Sequence, residues 1–584
     1  MCGIFGVLGE SSGKEEEILN LLSHRGPDDR GSWRDNGIFL GHCRLSIIDL
    51  EGGKQPWVEE GKVLIYNGEV YNFLEIRKLL EERGENFKSR SDTEVVFKTL
   101  KVFGVEGIMM FDGMFAFAFW DGKKLLLARD RFGIKPLYWT KVGRNFAFSS
   151  EIKPLLNLPF TKKSPNLEGL KFHITFLWCP YPLTAFEGIY KLPPGNVLIY
   201  EDGEVKIFPF FTPSIDEGKV EKEEILEALK KSVKKHLISD VEVGIFLSGG
   251  IDSSSIAALT EKPLRAFSLI FKEKDIKRDI FFQEYEYAKE VADKFGHKIY
   301  PVEVEFREGD FESVVYHLEE PIGDGAGISN YLLSRGARGM GLKVALAGTG
   351  GDELWGGYPR YRAILLAEKF PILRFLPNLP FSRGKLGRIA RDINKFKGAL
   401  SYPFPLRYLV WMSYYLGFPE VFNYLLKDFP RGDKLNSCML FDIKYFLPEH
   451  NLLYTDKTSM AFGLEIRVPM LSNKLLELSL KTPSKLKVGP FSGKKILKEA
   501  LRGILPEVII KRKKAGFGAP VKGWISGVLR EKVWEIKSDP LISELLPSHF
   551  VEFVLNENLK GKGFTYLTLF ELLTISTWRK VFSL

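Results

Sequence analysis

An apolar run that stops at two glycines decides which kind of sheet this chain can build. The run spans Val241–Leu247, and Ser248-Gly249-Gly250-Ile251-Asp252-Ser253 follows it directly. Helical spacing then runs from Asp252 to Thr260, and a second apolar run covers Leu264–Phe271. The order strand, glycine turn, helix, strand is typical of a doubly wound parallel sheet. We predict an α/β unit of this kind, with a mainly helical continuation after Gly357.

The first 150 residues carry a different pattern, in which short apolar runs alternate with turn residues. The runs predict strands at Gly37–Leu40, Val63–Tyr66, Phe115–Trp120, Leu125–Ala128 and Phe146–Ser149, and helical spacing predicts helices at Phe73–Arg83 and Thr93–Phe103. This mixture favours an α+β unit of stacked antiparallel sheets. We place domain boundaries at 1–160, 161–215 and 216–584. The middle segment is proline-rich and is interpreted as a connector with a small hairpin.

Bulk composition excludes several classes of protein. A chain of 584 residues is too long for one core. Its 83 basic and 74 acidic residues give a net charge of +9, without the basic runs and interleaved aromatics of a nucleic-acid groove. No apolar run approaches the roughly 20 residues of a membrane span. There is no secretory signal pattern, and four cysteines are too few for a disulfide framework. We therefore expect a cytoplasmic protein that binds neither nucleic acid nor membrane.

The chain begins Met1-Cys2-Gly3, and methionine before a small residue is usually removed. Cys2 would then carry both a thiol and a free α-amine, which form a nucleophile with its own base. Further along, Arg44 ends a predicted strand and can clamp a carboxylate with two hydrogen bonds. The amide of Asn67 and the N–H of Gly68 suit an oxyanion, while Glu69 and Asp92 suit an ammonium group. Together these groups match an α-amino acid that carries a side-chain amide.

The glycine turn after Val241–Leu247 has the chemistry of a phosphate site. Glycines let the backbone curve around phosphate oxygens, and the helix start and serine hydroxyls supply donors. Asp252 is a candidate Mg²⁺ ligand. The turn is not a Walker A loop, because no Gly-Lys-Ser/Thr follows it. On the local pattern alone, an ordinary glycine turn remains open as the alternative. The dense basic stretch Lys511–Lys514 is assigned to a phosphate site, although its local pattern alone favours a solvated surface patch.

Several longer motifs resemble a known family. The first 155 residues are similar to the class II glutaminase domain of amidotransferases, through the motifs MCGIFG, HRGPDD (His24–Asp29), RLSIIDL (Arg44–Leu50), YNGEVYN (Tyr66–Asn72), SDTE (Ser91–Glu94) and ARDRFGIKPLYW (Ala128–Trp139). SGGIDS is similar to the pyrophosphate loop of the N-type ATP pyrophosphatases, and Ala347–Glu353 supports that match. This domain order resembles the glutamine-hydrolysing asparagine synthetases up to about Trp524.

In the glutaminase half, the resemblance implies an N-terminal-nucleophile fold. It makes Cys2 the nucleophile, and Asn67 and Gly68 the oxyanion hole. It also makes Arg44, Asn67, Glu69 and Asp92 the residues that hold glutamine. We expect His24 to be structural, because the α-amine leaves it no acid–base task. We also expect Asp130 and Arg131 to form a structural ion pair.

In the synthetase half, the resemblance implies ATP and Mg²⁺ as cofactors and an acyl-adenylate intermediate. Asp252 and Asp352 would bind the metal, while Lys494 and Lys514 would face the pyrophosphate and the intermediate. The nucleotide set is Leu247, Ser248, Gly249, Gly250, Asp252, Ser253, Leu269, Ala347, Gly348 and Lys494. The acceptor-side set is Thr349, Asp456, Lys457, Glu465 and Arg467.

The implied reaction takes glutamine, aspartate and ATP and gives asparagine, glutamate, AMP and pyrophosphate, in a possible homodimer. Three positions depart from the family pattern, which has glutamate for Thr349, arginine for Lys457 and aspartate for Ser472. Thr349 bears most on the acceptor, because a hydroxyl cannot replace a carboxylate's charge. An amidotransferase acting on a sugar or peptide carboxylate in cell-surface biosynthesis is the alternative. A non-catalytic relative is a third reading, against which the intact Cys2 and SGGIDS loop argue.

Overall fold

The structure is a computed structural model, which describes residues 2–9, 13–35, 37–271, 283–375, 393–512, 518–559 and 565–584. Within those ranges, no helix is both long enough and apolar enough to cross a bilayer. The predicted fold class is confirmed. Two antiparallel sheets form the N-terminal part, a parallel sheet follows, and the C-terminal part is helical.

The N-terminal unit stacks two six-stranded antiparallel sheets in the orders β10-β8-β9-β1-β3-β2 and β12-β11-β7-β6-β5-β4. Its strands are β1 Gly3–Leu8, β2 Asp29–Asp35, β3 Ile38–Arg44, β4 Trp57–Glu59, β5 Lys62–Val70, β6 Gly113–Trp120, β7 Leu125–Arg129, β8 Tyr138–Val142, β9 Asn145–Ser149, β10 Tyr190–Lys191, β11 Asn196–Glu201 and β12 Glu204–Pro209. The last three strands come from the segment interpreted as a connector. It therefore adds strands to both sheets.

Alternation along β5 and β6 explains why the second sheet is buried on both faces. Ile65 and Ala118 belong to the apolar core between the two sheets, whereas Leu64 and Phe117 pack with the helices on the other side. The helices of this unit are Glu15–Asn20, Phe73–Glu81, Asp92–Phe103, Ile152–Leu156 and Leu167–Phe176, with a 3₁₀ turn at Gly104–Met110.

The second unit is built on a five-stranded parallel sheet with the order β15-β14-β13-β16-β17. Its strands are β13 Val243–Phe246, β14 Arg265–Phe271, β15 Lys298–Val304, β16 Val344–Leu346 and β17 Glu465–Arg467. The helices around it are Lys222–His236, Ile251–Ala258, Gln283–Phe295, Glu308–Leu318, Gly325–Gly339, Gly351–Trp355 and Pro359–Lys369. Helix Ile251–Ala258 follows the glycine turn, as the sequence predicts.

The C-terminal part is helical apart from β17. Its described segments are a 3₁₀ turn at Pro371–Phe375, helices Leu406–Met412, Pro419–Lys427 and Lys434–Phe441, a π-helix at Asp442–Leu452, helices Leu453–Met460, Asn473–Lys481, Ser484–Lys487, Lys495–Leu501, Glu507–Lys511, Val521–Ser526 and Arg530–Glu535, a 3₁₀ turn at Ile536–Ser538, and helices Pro540–Leu545, Ser548–Leu559 and Tyr566–Val581. Pro448 lies inside the π-helix. A proline cannot donate the regular helical hydrogen bond, and a wider turn is a common accommodation.

Buried charges join the two units. The carboxylate of Asp456 accepts hydrogen bonds from Arg25 at 2.8 Å and from Lys135 at 3.1 Å, and all three side chains are almost fully buried. Glu319 pairs with Lys153 at 3.0 Å and also with Lys457. Such pairs are costly to break one partner at a time, because the other charge stays buried. The interface therefore fixes how the two units are oriented.

Two local predictions need correction. Asn67 and Gly68 do not follow a strand but lie within β5, which extends to Val70 because Gly68 and Glu69 still pair with β6. Asp130 and Arg131 form no ion pair with each other among the described residues. The carboxylate of Asp130 instead accepts backbone N–H groups, including those of Phe115 and Lys135, while Arg131 donates to the carbonyl of Met109.

Candidate functional site

Cys2 lies directly before β1, in a nearly closed position. It is 7% exposed, and its backbone N–H donates to Oδ1 of Asn67 at 2.9 Å. Nε of Arg25 donates to its carbonyl at 3.1 Å. Burial raises the pKa of the Cys2 thiol, while the backbone N–H of Leu45 and the charge of Arg44 act in the opposite direction. The thiol therefore needs a nearby base to ionise at neutral pH.

The two predicted oxyanion donors sit beside it on β5. Nδ2 of Asn67 is buried and has no hydrogen-bond partner in the part of the chain that the structure describes. A buried donor without a partner is costly unless a ligand satisfies it. A Cβ on Gly68 would lie 2.2 Å from the carbonyl oxygen of Met114, so only glycine fits there. Both observations suit an anion held next to Cys2.

The predicted glutamine-binding residues surround the same space, but their partners differ. Arg44 donates to the backbone carbonyls of Asp49 at 2.7 Å and Leu50 at 2.8 Å, so it shapes the loop after β3. The carboxylate of Asp92 accepts from the Tyr66 hydroxyl at 2.8 Å. Glu69 forms an ion pair with Arg467, Oε1 to Nη2, at 3.2 Å.

A second site is a cavity of 1310 Å³ at the carboxyl ends of β13, β14 and β16. Ligands bind at this edge in doubly wound folds. The lining includes these sequence-predicted residues: Leu247, Ser248, Gly250, Asp252, Ser253, Leu269, Ala347, Gly348, Thr349, Asp352 and Lys494. Gly249 has a φ of 64° and packs behind the loop against Tyr287.

Lys494 joins the two predicted metal ligands. Its Nζ lies 2.5 Å from Asp252 and 2.6 Å from Asp352. Burial alone would lower the pKa of Lys494, but the two carboxylates outweigh it and the pKa is raised. Two carboxylates that converge on one cation fit Mg²⁺, which usually takes one or two protein carboxylates and completes its shell with phosphate and water. No group of three or more metal-binding side chains occurs within the described ranges.

Other predicted residues lie elsewhere. Asp456 and Lys457 lie in the interface between the units, and Glu465 and Arg467 lie on β17 beside Glu69. The structure therefore does not bring these four side chains to the cavity. Lys514 lies outside the described residues. From the same basic cluster, Lys511 and Arg512 reach the cavity wall.

Known protein families match both the N-terminal unit and the second unit of this chain. The family model "Asparagine synthase" covers residues 224–580, and the model "Glutamine amidotransferase domain" covers residues 1–211. The chain belongs to the asparagine synthase family. It is therefore a glutamine-dependent amidotransferase of the carbon–nitrogen ligase class, in a family that uses ATP.

Individual relatives span nearly the whole chain. Asparagine synthetase [glutamine-hydrolyzing] 1 of Bacillus subtilis is 30% identical, covering 100% of this chain and 97% of the relative. Asparagine synthetase [glutamine-hydrolyzing] 3 of the same organism is 31% identical over 88% of this chain and 87% of the relative. The amidase chry2 of Gibberella zeae is 28% identical over 91% of this chain and 88% of the relative.

Two of the departures from the asparagine synthetase pattern have a structural explanation. Ser472 caps helix Asn473–Lys481, accepting the N–H of Leu475 on its side chain at 3.3 Å. Serine and aspartate serve equally well at this position. Lys457 is fully buried against Glu319 and lies over the ring of Tyr138 at 4.5 Å, away from the cavity. Thr349, in contrast, does line the cavity.

Two cavity residues of this asparagine synthase family member, Glu284 and Glu353, are not among the site residues that the sequence predicts. Burial raises the pKa of Glu284 to about 7, with Arg512 opposing the shift at 3.6 Å. Glu353 is buried and accepts from the Tyr358 hydroxyl at 2.6 Å and from Asn451 at 2.7 Å. No short motif marks Glu284, because helix Gln283–Phe295 reaches the cavity only through tertiary packing.

Proposed function

We propose that this chain makes asparagine from aspartate, with glutamine as the nitrogen donor and ATP as the activator. The observation that carries the proposal is the presence of two complementary sites in one chain. One places Cys2 beside the amide of Asn67, whose Nδ2 has no hydrogen-bond partner among the described residues. The other gathers Lys494 and two aspartates beside the SGGIDS loop.

In the first site, the α-amine of Cys2 takes the thiol proton once Met1 has been removed. The thiolate attacks the side-chain amide carbon of glutamine, and the oxyanion is stabilised by Asn67 Nδ2 and the N–H of Gly68. The proton returns to the leaving nitrogen, so ammonia departs and a thioester remains. Water then hydrolyses the thioester to glutamate. Arg44, Glu69 and Asp92 hold the glutamine. Arg44 acts through the loop that it shapes, and the two acids bind the α-ammonium group of glutamine.

In the second site, the β-carboxylate of aspartate attacks the α-phosphorus of ATP and pyrophosphate leaves. The Ser248–Ser253 loop cradles the phosphates. Lys494 and Lys514 hold the negative charge of the leaving group. Mg²⁺ bound by Asp252 and Asp352 would supply further neutralisation of the phosphates. Ammonia then attacks the acyl carbon of β-aspartyl-AMP and AMP departs.

A second candidate is amidation of a different carboxylate by the same chemistry. It is favoured by Thr349, which lines the cavity where asparagine synthetases carry an acidic residue. A related chain is named an amidase rather than an asparagine synthetase. A larger acceptor also suits a cavity of 1310 Å³, which exceeds the usual 300–1,000 Å³ of ligand pockets.

The test is product analysis with amide-¹⁵N-glutamine, ATP, Mg²⁺ and aspartate. We expect ¹⁵N-asparagine with equal amounts of AMP and pyrophosphate. A parallel reaction with ¹⁵N-ammonium in place of glutamine examines the second site alone. Glutamate release in the glutamine reaction, with no asparagine formed in either reaction, would eliminate aspartate as the acceptor. AMP release would then be measured with glutamate, a uronic acid and a short peptide as acceptors.

A further inference from the structure

Arg467 is a buried cation that the ATP-site sheet supplies to the glutamine site. It ends β17, the edge strand of the parallel sheet, and its side chain is fully buried. The guanidinium reaches groups on three sides. Nε donates to Glu465 at 2.5 Å, Nη1 donates to the carbonyls of His236 at 2.8 Å and Ile238 at 2.6 Å, and Nη2 lies 3.2 Å from Glu69.

The buried carboxylate of Glu69 lies among other acids. Its carboxylate is buried within electrostatic range of Glu465 and Asp92, and Arg467 is the guanidinium that pairs with it. Burial raises the pKa of Glu69 well above its ordinary value; Arg467 opposes that shift, and the two other acids reinforce it. An ammonium ligand can bind Glu69 through a charged hydrogen bond only while the carboxylate is ionised.

We propose that Arg467 is a positioning residue of the glutamine site, which favours the ionised form of Glu69 and directs its carboxylate at the α-ammonium group of glutamine. The inference rests on the proposed function, because it takes glutamine as the ligand of Glu69. It assigns Arg467 to glutamine binding rather than to the acceptor side. It also makes the glutamine site incomplete without the second unit.

The backbone of Arg467 fixes where its side chain starts. Its carbonyl accepts the N–H of Ala347 at 2.8 Å, and Ala347 lines the ATP cavity directly before Gly348 and Thr349. One residue thus contacts the cavity loop with its main chain and Glu69 with its side chain. A side chain held at both ends is preorganised, so it can place Glu69 without an entropy loss on binding.

The role requires a guanidinium rather than any cation. A planar fork can serve Glu465, two backbone carbonyls and Glu69 at once, whereas an ammonium is a single compact charge. Nη2 has no aligned hydrogen bond among the described residues, so its contact with Glu69 is electrostatic.

The test compares Arg467→Lys with Arg129→Gln in glutamine hydrolysis by the full chain. Arg129 is the matched control, because it is equally buried and pairs with Glu449 at 3.3 Å across the unit interface, away from Glu69. We expect Arg467→Lys to raise the KM for glutamine roughly tenfold with a smaller change in kcat, the split that a binding role predicts. Arg129→Gln should lower the unfolding temperature but leave KM within about twofold.

A double variant removes the risk that an unpaired buried charge prevents folding. Glu465→Gln/Arg467→Gln removes both charges together, and the KM should rise roughly 10- to 100-fold. Covalent labelling of Cys2 gives a second readout. Both variants should react more slowly with a glutamine-like diazoketone amino acid, while labelling by iodoacetamide, which has no α-ammonium group, stays at the wild-type rate.

The outcomes separate the two proposals. A wild-type protein that does not hydrolyse glutamine would remove the proposed function itself. Hydrolysis by the wild type, with a KM within about twofold of it in both Arg467 variants, would overturn the role of Arg467 alone. Equal slowing of both labelling reagents would also overturn it, because that pattern indicates a general disturbance of Cys2.

Discussion

Cys2 lies in a nearly closed space between antiparallel sheets, whereas Asp252 and Asp352 line an open cavity at the end of a parallel sheet. The closed site is organised by buried contacts from both units, including Arg467. The open site is lined by several segments of the second unit alone, and its two aspartates converge on Lys494. Enclosure suits ammonia release, because ammonia exposed to neutral water becomes inert ammonium. Openness suits the entry of a nucleotide and a separate acceptor.

The difference predicts how the two sites respond to substitution. A closed site built from both units should lose its function through changes made in either unit. An open site lined by one unit should respond mainly to changes in that unit.

Replacement of Cys2 by alanine should separate the sites most clearly. Without the thiolate no thioester can form, so product formation driven by glutamine should fall at least about 10³-fold relative to formation driven by ammonia. Cys43→Ala is the control, since Cys43 is buried on the neighbouring strand β3 and its thiol donates to the carbonyl of Leu19 at 3.5 Å. Equal loss of both activities in Cys2→Ala would contradict the separation.

Lys494→Gln should give the reverse pattern. Its charge offsets two aspartates in the cavity, so its loss should slow ATP consumption roughly 10²-fold while glutamine hydrolysis in the absence of ATP continues. Lys495→Gln is the matched control, because Lys495 also borders the cavity but donates to the carbonyl of Lys485. The measurements are pyrophosphate release and glutamate release on the same preparations. A similar loss in both variants would argue against a specific role for Lys494.

The contrast also decides what could be predicted from sequence. Val241–Ser253 forms strand, turn and helix through local rules, so its fold and its place at the cavity follow from the pattern. Arg467 and Asp456 follow no local rule. Arg467 lies in strand β17 and Asp456 lies in helix Leu453–Met460, yet both side chains point into the interface between the two units. Which side of a short strand or helix faces a second unit depends on docking, and the sequence carries no short-range signal of it.

Asn67 illustrates a smaller failure of the same kind. Asn67-Gly68-Glu69 has the composition of a turn, so the strand was predicted to end at Tyr66. The register with β6 continues through Val70, because glycine is the only residue that can lie against the carbonyl of Met114. Tertiary pairing therefore overrides a turn-like composition here.

Glu284 allows a pH test of the open site. Burial raises the pKa of its carboxyl to about 7, so between about 4.5 and 7 the folded chain holds a proton that the unfolded chain releases. Its contribution to stability is present below pH 4.5 and is lost as the pH rises through 7. Glu284→Gln should remove that loss. At pH 8 the free energy of unfolding should rise by roughly 2–3 kcal/mol and the unfolding temperature by a few degrees, whereas both should change little at pH 5.

The control for Glu284 is its exposed neighbour Glu286, which also borders the cavity. Glu286→Gln should leave the difference in unfolding temperature between pH 5 and pH 8 as it is in the wild type. If the difference in unfolding temperature between pH 5 and pH 8 is the same in the wild type and in Glu284→Gln, the carboxyl of Glu284 ionises freely in the folded chain.

Ser472 tests whether a departure from the family pattern outside the cavity bears on the acceptor. Its side chain caps helix Asn473–Lys481, and Asn473 also donates to the carbonyl of Phe111 in the N-terminal unit at 3.0 Å. Ser472→Ala should lower the free energy of unfolding by about 1 kcal/mol, whereas Ser472→Asp restores the family residue and keeps the cap. Because the residue caps a helix outside the cavity, neither variant should change which acceptor is used. A change in acceptor with Ser472→Asp would mean that this position acts on the cavity, and that acceptor choice does not reside in Thr349 alone.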